Sequence, residues 1–276
     1  MDAQLQQAAE TILHADALVI TSGAGMGVDS DLPDFRGDNG FWQAYPMYQH
    51  LGINFYAAAN PDHFADDPAF GWGFYGHRTN LYRQTEPHLG FNLLQQWAQR
   101  LNLDTFVVTS NVDGQFQKAG VDPLNILEVH GSIHHLQCLR PCSHDIWPND
   151  EQIPIDLESM RAQHLPTCRN CQGMARPNIL MFGDYSWLDD RTNAQEQRFH
   201  NFLLTNSAKK LVIIEMGAGS AVPTIRHLTQ QLGQKKNACA IRINPREPQI
   251  GGNNISLPLG ALEALVAIDH KLENIH

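Results

Sequence analysis

Four of the five cysteines fall in two close pairs, Cys138-x3-Cys142 and Cys168-x2-Cys171, with 25 residues between the pairs. Each pair can set two sulfurs on one tetrahedral ion, about 3.7 Å apart when the Zn–S bonds are about 2.3 Å. Four thiolates leave no open coordination position, so the implied zinc site is structural. His134, His135, His144 and His164 are nearby as rival ligands, but the two pairs suffice. Cys239 stands in an apolar run and reads as core.

Two other clusters have the types needed for catalysis. Thr109-Ser110-Asn111-Val112-Asp113 follows an apolar run, so its polar side chains should emerge at the carboxyl edge of a sheet, where open α/β folds bind ligands. His130-Gly131 likewise follows a strand-like run. An imidazole there suits a general base because its pKa lies near working pH, and the glycine leaves room beside it. The plain alternative is a core histidine, which a chain with 14 histidines makes easy.

The third cluster opens the chain. Ala17-Leu18-Val19-Ile20-Thr21 is followed by GAGMGVDSDLPDFRG over residues 23–37. A buried strand that stops at glycines is how a phosphate-holding loop begins, and glycine lets backbone approach a ligand closely. The glycines are only part of a dinucleotide fingerprint, because Val28 occupies the place of the third one. The tail, Asp34-Phe35-Arg36, is the distinctive part.

The elements that must position these residues follow from periodicity. Leu5, Ala8, Ala9, Ile12 and Leu13 share a helical face over residues 3–15, and Leu93, Leu94 and Trp97 share one over residues 87–101. Strands are expected at residues 17–21, 105–109, 126–129, 178–182, 211–214 and 240–243, with helices between and a last helix at 258–274. This alternation implies an α/β fold: a Rossmann-like, mostly parallel sheet with helices on both faces. Two stretches interrupt it. Residues 40–85 are rich in aromatics and broken by Pro and Gly, which predicts a helical insertion; residues 134–175 hold the cysteines and no long apolar strand. The expected division is therefore 1–39, 86–133 and 176–276 as one discontinuous domain, with 40–85 and 134–175 inserted.

A chain of 276 residues has ample core, and its net charge of −10 argues against direct nucleic-acid binding. No apolar run approaches the ~20 residues of a membrane span, and no basic-then-apolar signal pattern opens the chain. A cytoplasmic location and no membrane partner are the expectation.

Taken in order, GAGMGVDSDLPDFRG, TSNVDGQFQKAG (109–120), EVHGS (128–132), the cysteine pairs and RPNILMFGD (176–184) resemble the sirtuin family of NAD-dependent protein lysine deacylases. The resemblance runs from about residue 17 to 244. It implies a Rossmann-like domain, a small domain made of the helical insertion and a zinc ribbon, and an acyl-lysine protein or peptide entering between them opposite NAD. The acyl oxygen would attack the ribose C1′ as nicotinamide leaves, giving an alkylimidate. His130 would then deprotonate a ribose hydroxyl, leading to O-acyl-ADP-ribose. Asn111 and Asp113, beside Ser110, match residues that position the ribose and the carboxamide. Asp34, Phe35 and Arg36 match the loop over the reacting sugar. Gly23, Ala24 and Gly25, with the later Gly217-Ala218-Gly219, would cradle the diphosphate, and Asn244 would reach the adenosine ribose. Phe182 and Gly183 match the substrate-side segment.

The chain departs from the family at Gly27 (usually Ser), Ser110 (Gln), Ala218-Gly219 (Thr-Ser), Gln115-Phe116 (Leu-His) and Asp184 (Glu). Each lost hydroxyl removes a hydrogen bond worth about 0.5–1.5 kcal/mol net. Tyr75 and Arg78 share a helical face and resemble the Tyr-x-x-Arg signature of sirtuins that take succinyl- or malonyl-lysine. A guanidinium pairs bidentately with a carboxylate. The alternative is a sirtuin-fold ADP-ribosyltransferase or NAD hydrolase, in which another nucleophile or water captures the same sugar cation; a non-enzymatic NAD-binding role is the third reading.

Overall fold

A computed structural model describes residues 1–34 and 37–275. The strands are β1 (Ala17–Ser22), β2 (Asp104–Thr109), β3 (Ile126–Glu128), β4 (Gly131–Cys138), β5 (Ile146–Pro148), β6 (Ile155–Asp156), β7 (Arg161–Ala162), β8 (Ala175–Ile179), β9 (Leu211–Met216), β10 (Ala238–Ile243) and β11 (Ile255–Leu257).

Six of them form one sheet in the order β11-β10-β9-β1-β2-β3, with every pairing parallel. All six residues of β1 and of β9 are buried, as expected of strands covered on both faces. Alternation decides which face each side chain serves. Leu18 and Ile20 join Val212, Ile214 and Met216 under the helices Asp2–Leu13, Leu89–Arg100 and Ala261–Asn274. Ala17 and Val19 join Phe106, Val108 and Ile213 on the opposite face, with Phe199 of Asp190–Thr205 and Leu232 of Thr224–Gly233. Glu215 lies inside this apolar sheet because Arg242, its register partner on β10, pairs with it at 2.5 and 3.0 Å. The bidentate geometry offsets the desolvation of both charges.

The chain leaves β1 toward β2 and β3, then crosses back to β9, β10 and β11 on the other side. The strand order thus reverses between β1 and β9. Their carboxyl ends flank the crevice where such sheets take ligands.

Three differences from the periodicity have physical causes. The run at 178–182 was expected in the parallel sheet, but its strand is β8, antiparallel to β4 in a separate sheet of order β5-β4-β8. β4 itself, GSIHHLQC, runs into the stretch 134–175, where no long apolar strand is expected; two histidines and a glutamine conceal its apolar positions. β11 is three residues, too short to show alternation.

The two inserted stretches share one core. Phe41, Tyr48, Phe64, Trp72, Phe74 and Tyr75 pack with Leu136, Trp147, Ile153, Cys138 and Cys168. Trp72 Nε1 donates to the Ala175 carbonyl at 2.9 Å, and Asn80 Nδ2 to that of Ile153 at 2.8 Å. Among the described residues no helix is long and apolar enough to cross a membrane.

Candidate functional site

The two glycine loops meet at the β1/β9 crevice. The Gly23 N–H donates to the Met216 carbonyl and the Gly25 N–H to the Gly217 carbonyl, both at 3.0 Å. A Cβ on Gly23 would lie 2.8 Å from Ala218 Cα, and one on Gly217 would lie 2.3 Å from the Gly25 carbonyl carbon. Gly217 also has φ of +61°. These glycines therefore let the loops pack backbone to backbone, which refines the expectation that they only clear space for a ligand. Gly219 faces open space, as a cradle requires, and Ala24 and Gly25 are half-buried. Gly27, in the place of the lost serine, sits where a Cβ would press on Leu32 at 3.1 Å.

Beside this crevice the ends of β2 and β3 bring Ser110, Asn111, Asp113 and His130 together. Ser22 Oγ donates to Thr109 Oγ1 at 2.8 Å, and that oxygen accepts the Asn111 N–H at 3.0 Å. Asn111 Nδ2 then donates to the Gly23 carbonyl at 3.1 Å, which ties the polar loop to the first glycine. Burial pushes the Asp113 carboxyl up to about 6, opposed by the Gln115 N–H that it accepts at 2.9 Å. Burial likewise depresses the pKa of His130, against the hydrogen bond it makes to the Ser110 backbone. A neutral imidazole at the carboxyl edge is a base ready to take a proton. Gly131 beside it has φ of +79°, and a Cβ there would lie 2.1 Å from the Asn178 carbonyl oxygen.

Asn244, at the end of β10, is fully buried and donates from Nδ2 to the Ala218 carbonyl at 3.0 Å. It joins the second glycine loop to the next strand. Asp34 lines a cleft of about 570 Å³ with Leu32, Pro33, Tyr45, His77 and Arg246. Phe35 and Arg36 lie outside the described residues.

Tyr75 and Arg78 are on the helix Pro68–Gln84 and both are buried. Tyr75 stacks on Phe64, with centroids 5.7 Å apart. The Arg78 guanidinium lies over the rings of Phe74, Tyr75 and Tyr82 at 5.2–5.8 Å. Its Nε and Nη2 donate to the Tyr82 hydroxyl at 2.9 and 2.7 Å. Phe182 packs on Tyr56 at 4.5 Å and donates its N–H to the Ala59 carbonyl, while Gly183 turns the chain with φ of +68°.

The four cysteines converge: their Sγ atoms all lie within 4.8 Å of one another, with Cys138 to Cys171 at 3.7 Å and Cys142 to Cys168 at 3.6 Å. Those separations are the edges of a tetrahedron about a zinc ion with thiolate bonds of about 2.3 Å. Among the described residues this is the one such group, and none of the rival histidines belongs to it. It is built on the end of β4 and on a turn closed by Cys168 N–H to the Gly173 carbonyl at 2.6 Å.

Sequence reading missed three contributors. His134 Nε2 hydrogen-bonds the Asp113 carbonyl at 2.9 Å, and its ring fills the space over Gly114. Arg176 is fully buried and pairs with Asp184, so the shortened acid is a structural partner; these bonds outweigh burial and hold the Asp184 carboxyl below its usual range. Arg191, on a helix, pairs with Glu128 two residues before His130. In each case the partners are apart in sequence and carry no spacing signal.

A doubly wound dinucleotide-type sheet with a four-thiolate module inserted defines the class. The chain belongs to the Sir2 family, whose family model matches residues 23–211. The NAD-dependent protein deacylase 1 of Caldanaerobacter subterraneus subsp. tengcongensis is 26% identical over 263 residues, which cover 95% of this chain and 96% of that one. The NAD-dependent protein deacylase of Leptospira interrogans is 30% identical over 230 residues, covering 81% and 79%. A solved structure of a Sir2 homolog–NAD complex shares the fold with a TM-score of 0.73 at 24% identity, over 97% of this chain and 94% of that one.

Proposed function

We propose that the protein is an NAD-dependent protein lysine deacylase acting on acyl-lysine in a protein or peptide. The observation that carries this reading is the convergence of neutral His130 with Asn111 and Asp113 beside two glycine loops at the sheet's reversal point. NAD, when bound, supplies a ribose carbon made electrophilic by the loss of nicotinamide. The loops 23–25 and 217–219 would border the diphosphate, and Asn244, whose amide is engaged by Ala218, Arg246 and Glu247, would hold the second loop in place beside the adenosine ribose rather than bond it directly. Asn111 would orient the reacting sugar. Asp113, whose carboxyl burial raises to about 6, would accept a hydrogen bond from the carboxamide near neutral pH. His130 would take the proton of a ribose hydroxyl. Asp34, Phe35 and Arg36 would shield the sugar from water. In this reading residues 1–39, 86–133 and 176–276 form the dinucleotide domain, and 40–85 with 134–175 form the substrate-side domain that the four-thiolate zinc site stiffens.

The substrate would pass Phe182 and Gly183, with its acyl group directed toward the helix of Tyr75 and Arg78. A buried guanidinium held by the Tyr82 hydroxyl and packed on aromatic rings suits an acyl chain that ends in a carboxylate, while plain acetyl groups remain substrates.

Incubating the protein with NAD and acetyl-, succinyl- or unmodified peptide, and weighing the products, tests the reading. Acyl-dependent nicotinamide release with O-acyl-ADP-ribose is expected. Free ADP-ribose or ADP-ribosylated protein formed without an acyl peptide would overturn it.

A further inference from the structure

The carboxyl edge of β10 carries a charged side chain that the proposed reaction leaves unused. Asn244 Oδ1 accepts the backbone N–H groups of Arg246 and Glu247, each at 3.0 Å, while its Nδ2 holds the Ala218 carbonyl. This double clasp fixes the backbone of Arg246 relative to the second glycine loop. Glu247 is engaged nearby: it accepts from Ser220 Oγ at 2.8 Å and faces Arg226 at 3.8 Å. Arg226 in turn donates to the carbonyls of Ala218 and Glu247 at 3.2 and 3.1 Å. Those two charges offset each other. Arg246 is exposed, and its guanidinium makes no hydrogen bond or ion pair among the described residues. It lines the cleft that also contains Val28, Pro33 and Asp34 from the tail of the first glycine loop.

In dinucleotide folds an acid near the adenosine ribose pairs with its hydroxyls, whereas an arginine there accommodates a phosphate. Here the acid is turned away and the cation faces the cleft. Asp31 lines the same cleft, so a phosphate there needs a cation to offset it. The loop also lacks hydroxyl donors at Ala218 and Gly219, and a charge-assisted bond is roughly twice as strong as a neutral one.

We propose that Arg246 anchors a phosphate group of the bound dinucleotide, either the diphosphate common to NAD and NADP or the 2′-phosphate that only NADP carries. This rests on the assignment of the crevice to a dinucleotide. Calorimetric titration of the full chain with NAD, NADP and adenosine, before and after Arg246→Ala and Arg246→Glu, tests it. At least one dinucleotide should bind about tenfold more weakly to Arg246→Ala, and more weakly still to Arg246→Glu, with adenosine unaffected. Equal weakening of NAD and NADP places the guanidinium on the diphosphate; selective weakening of NADP places it on the 2′-phosphate. Unchanged affinity for both overturns the proposal and leaves the dinucleotide site standing. Equal weakening of adenosine also overturns it, because no phosphate is then involved. If the unsubstituted protein binds neither NAD nor NADP, the dinucleotide assignment falls and the proposal with it. Unchanged melting temperatures are expected for both variants, since the side chain makes no bond among the described residues.

Discussion

His88 Nε2 lies 2.9 Å from the Met26 carbonyl, while its Nδ1 accepts the Gly90 N–H at 3.0 Å. The second contact settles the tautomer: Nδ1 is unprotonated, so Nε2 carries the hydrogen and donates it to Met26. One imidazole thus caps the helix Leu89–Arg100 and fastens it to the first glycine loop. The His88 N–H adds a bond to Ser30 Oγ at 2.9 Å. Phe91 packs on the ring at 4.8 Å.

Acid should loosen this joint. Protonating Nδ1 removes the acceptor of the Gly90 N–H, and burial already holds the His88 pKa below the usual imidazole range, with Met26 and Asp29 opposing. A folded pKa below the unfolded value means that its stability contribution is complete above about 6.5 and is lost as pH falls through the folded value. His130, His134 and His135 shift in the same direction, His135 down to about 3. Melting temperature should therefore fall between pH 7 and pH 5. His88→Asn, which keeps a capping oxygen but cannot titrate there, should flatten part of that fall. Identical slopes for the two proteins would show that His88 does not contribute.

The glycine loops predict a contrast between two alanines. Gly217→Ala forces a Cβ to within 2.3–2.5 Å of the Gly25 and Met26 backbone at a φ of +61°. Backbone cannot yield as a flexible side chain does, so a loss of about 2 kcal/mol or more is expected in urea unfolding. Gly219→Ala meets nothing within 4 Å and should unfold at nearly the same denaturant concentration. Similar midpoints for the two variants would contradict the tight apposition of the loops.

How far the chain was legible follows from the range of the interactions. β1 and β9 throughout, and β2 and β10 over their last four residues, are buried and announce themselves as largely apolar runs. The cysteine pairs are legible because metal geometry dictates short spacing. β4 is not, since His134, His135 and Gln137 break its apolar pattern, and the bonds that accommodate His134 and Gln137, to Asp113 and Ser186, come from distant parts of the chain. The Tyr75–Arg78 spacing is visible, yet the hydroxyl that Arg78 bonds is that of Tyr82, one further helical turn along. Arg176 with Asp184 and Glu128 with Arg191 pair across loops, and no local pattern marks them.

Removing the metal should unsettle more than the cysteine module. Cys138 and Cys168 are buried in the core that also contains Trp72, Phe64 and Tyr75 of the helical insertion. One zinc per chain is expected by elemental analysis. Cys142→Ser, or a strong chelator, should remove it, lower the melting temperature and increase tryptophan exposure through Trp72 and Trp147. A metal-free preparation that melts at the same temperature as the zinc-bound one would exclude a structural zinc.

Arg78 offers the most direct test of the acyl group. Its guanidinium is buried, packed on three rings and held at two donors by one tyrosine hydroxyl. A carboxylate arriving there would gain charge-assisted bonds worth about 1.5–3 kcal/mol each, whereas an acetyl group would gain none. Arg78→Met should therefore lower kcat/KM for succinyl-lysine peptide by about 100-fold and for acetyl-lysine peptide by less than about fivefold. The ratio of the two activities in one preparation cancels any change in the folded fraction, which matters for a buried side chain. Tyr82→Phe removes the hydroxyl but keeps the ring, so it should lower the same ratio by a smaller factor. Equal loss of both activities in Arg78→Met would assign the arginine to the fold of the helical insertion and remove the carboxylate pocket.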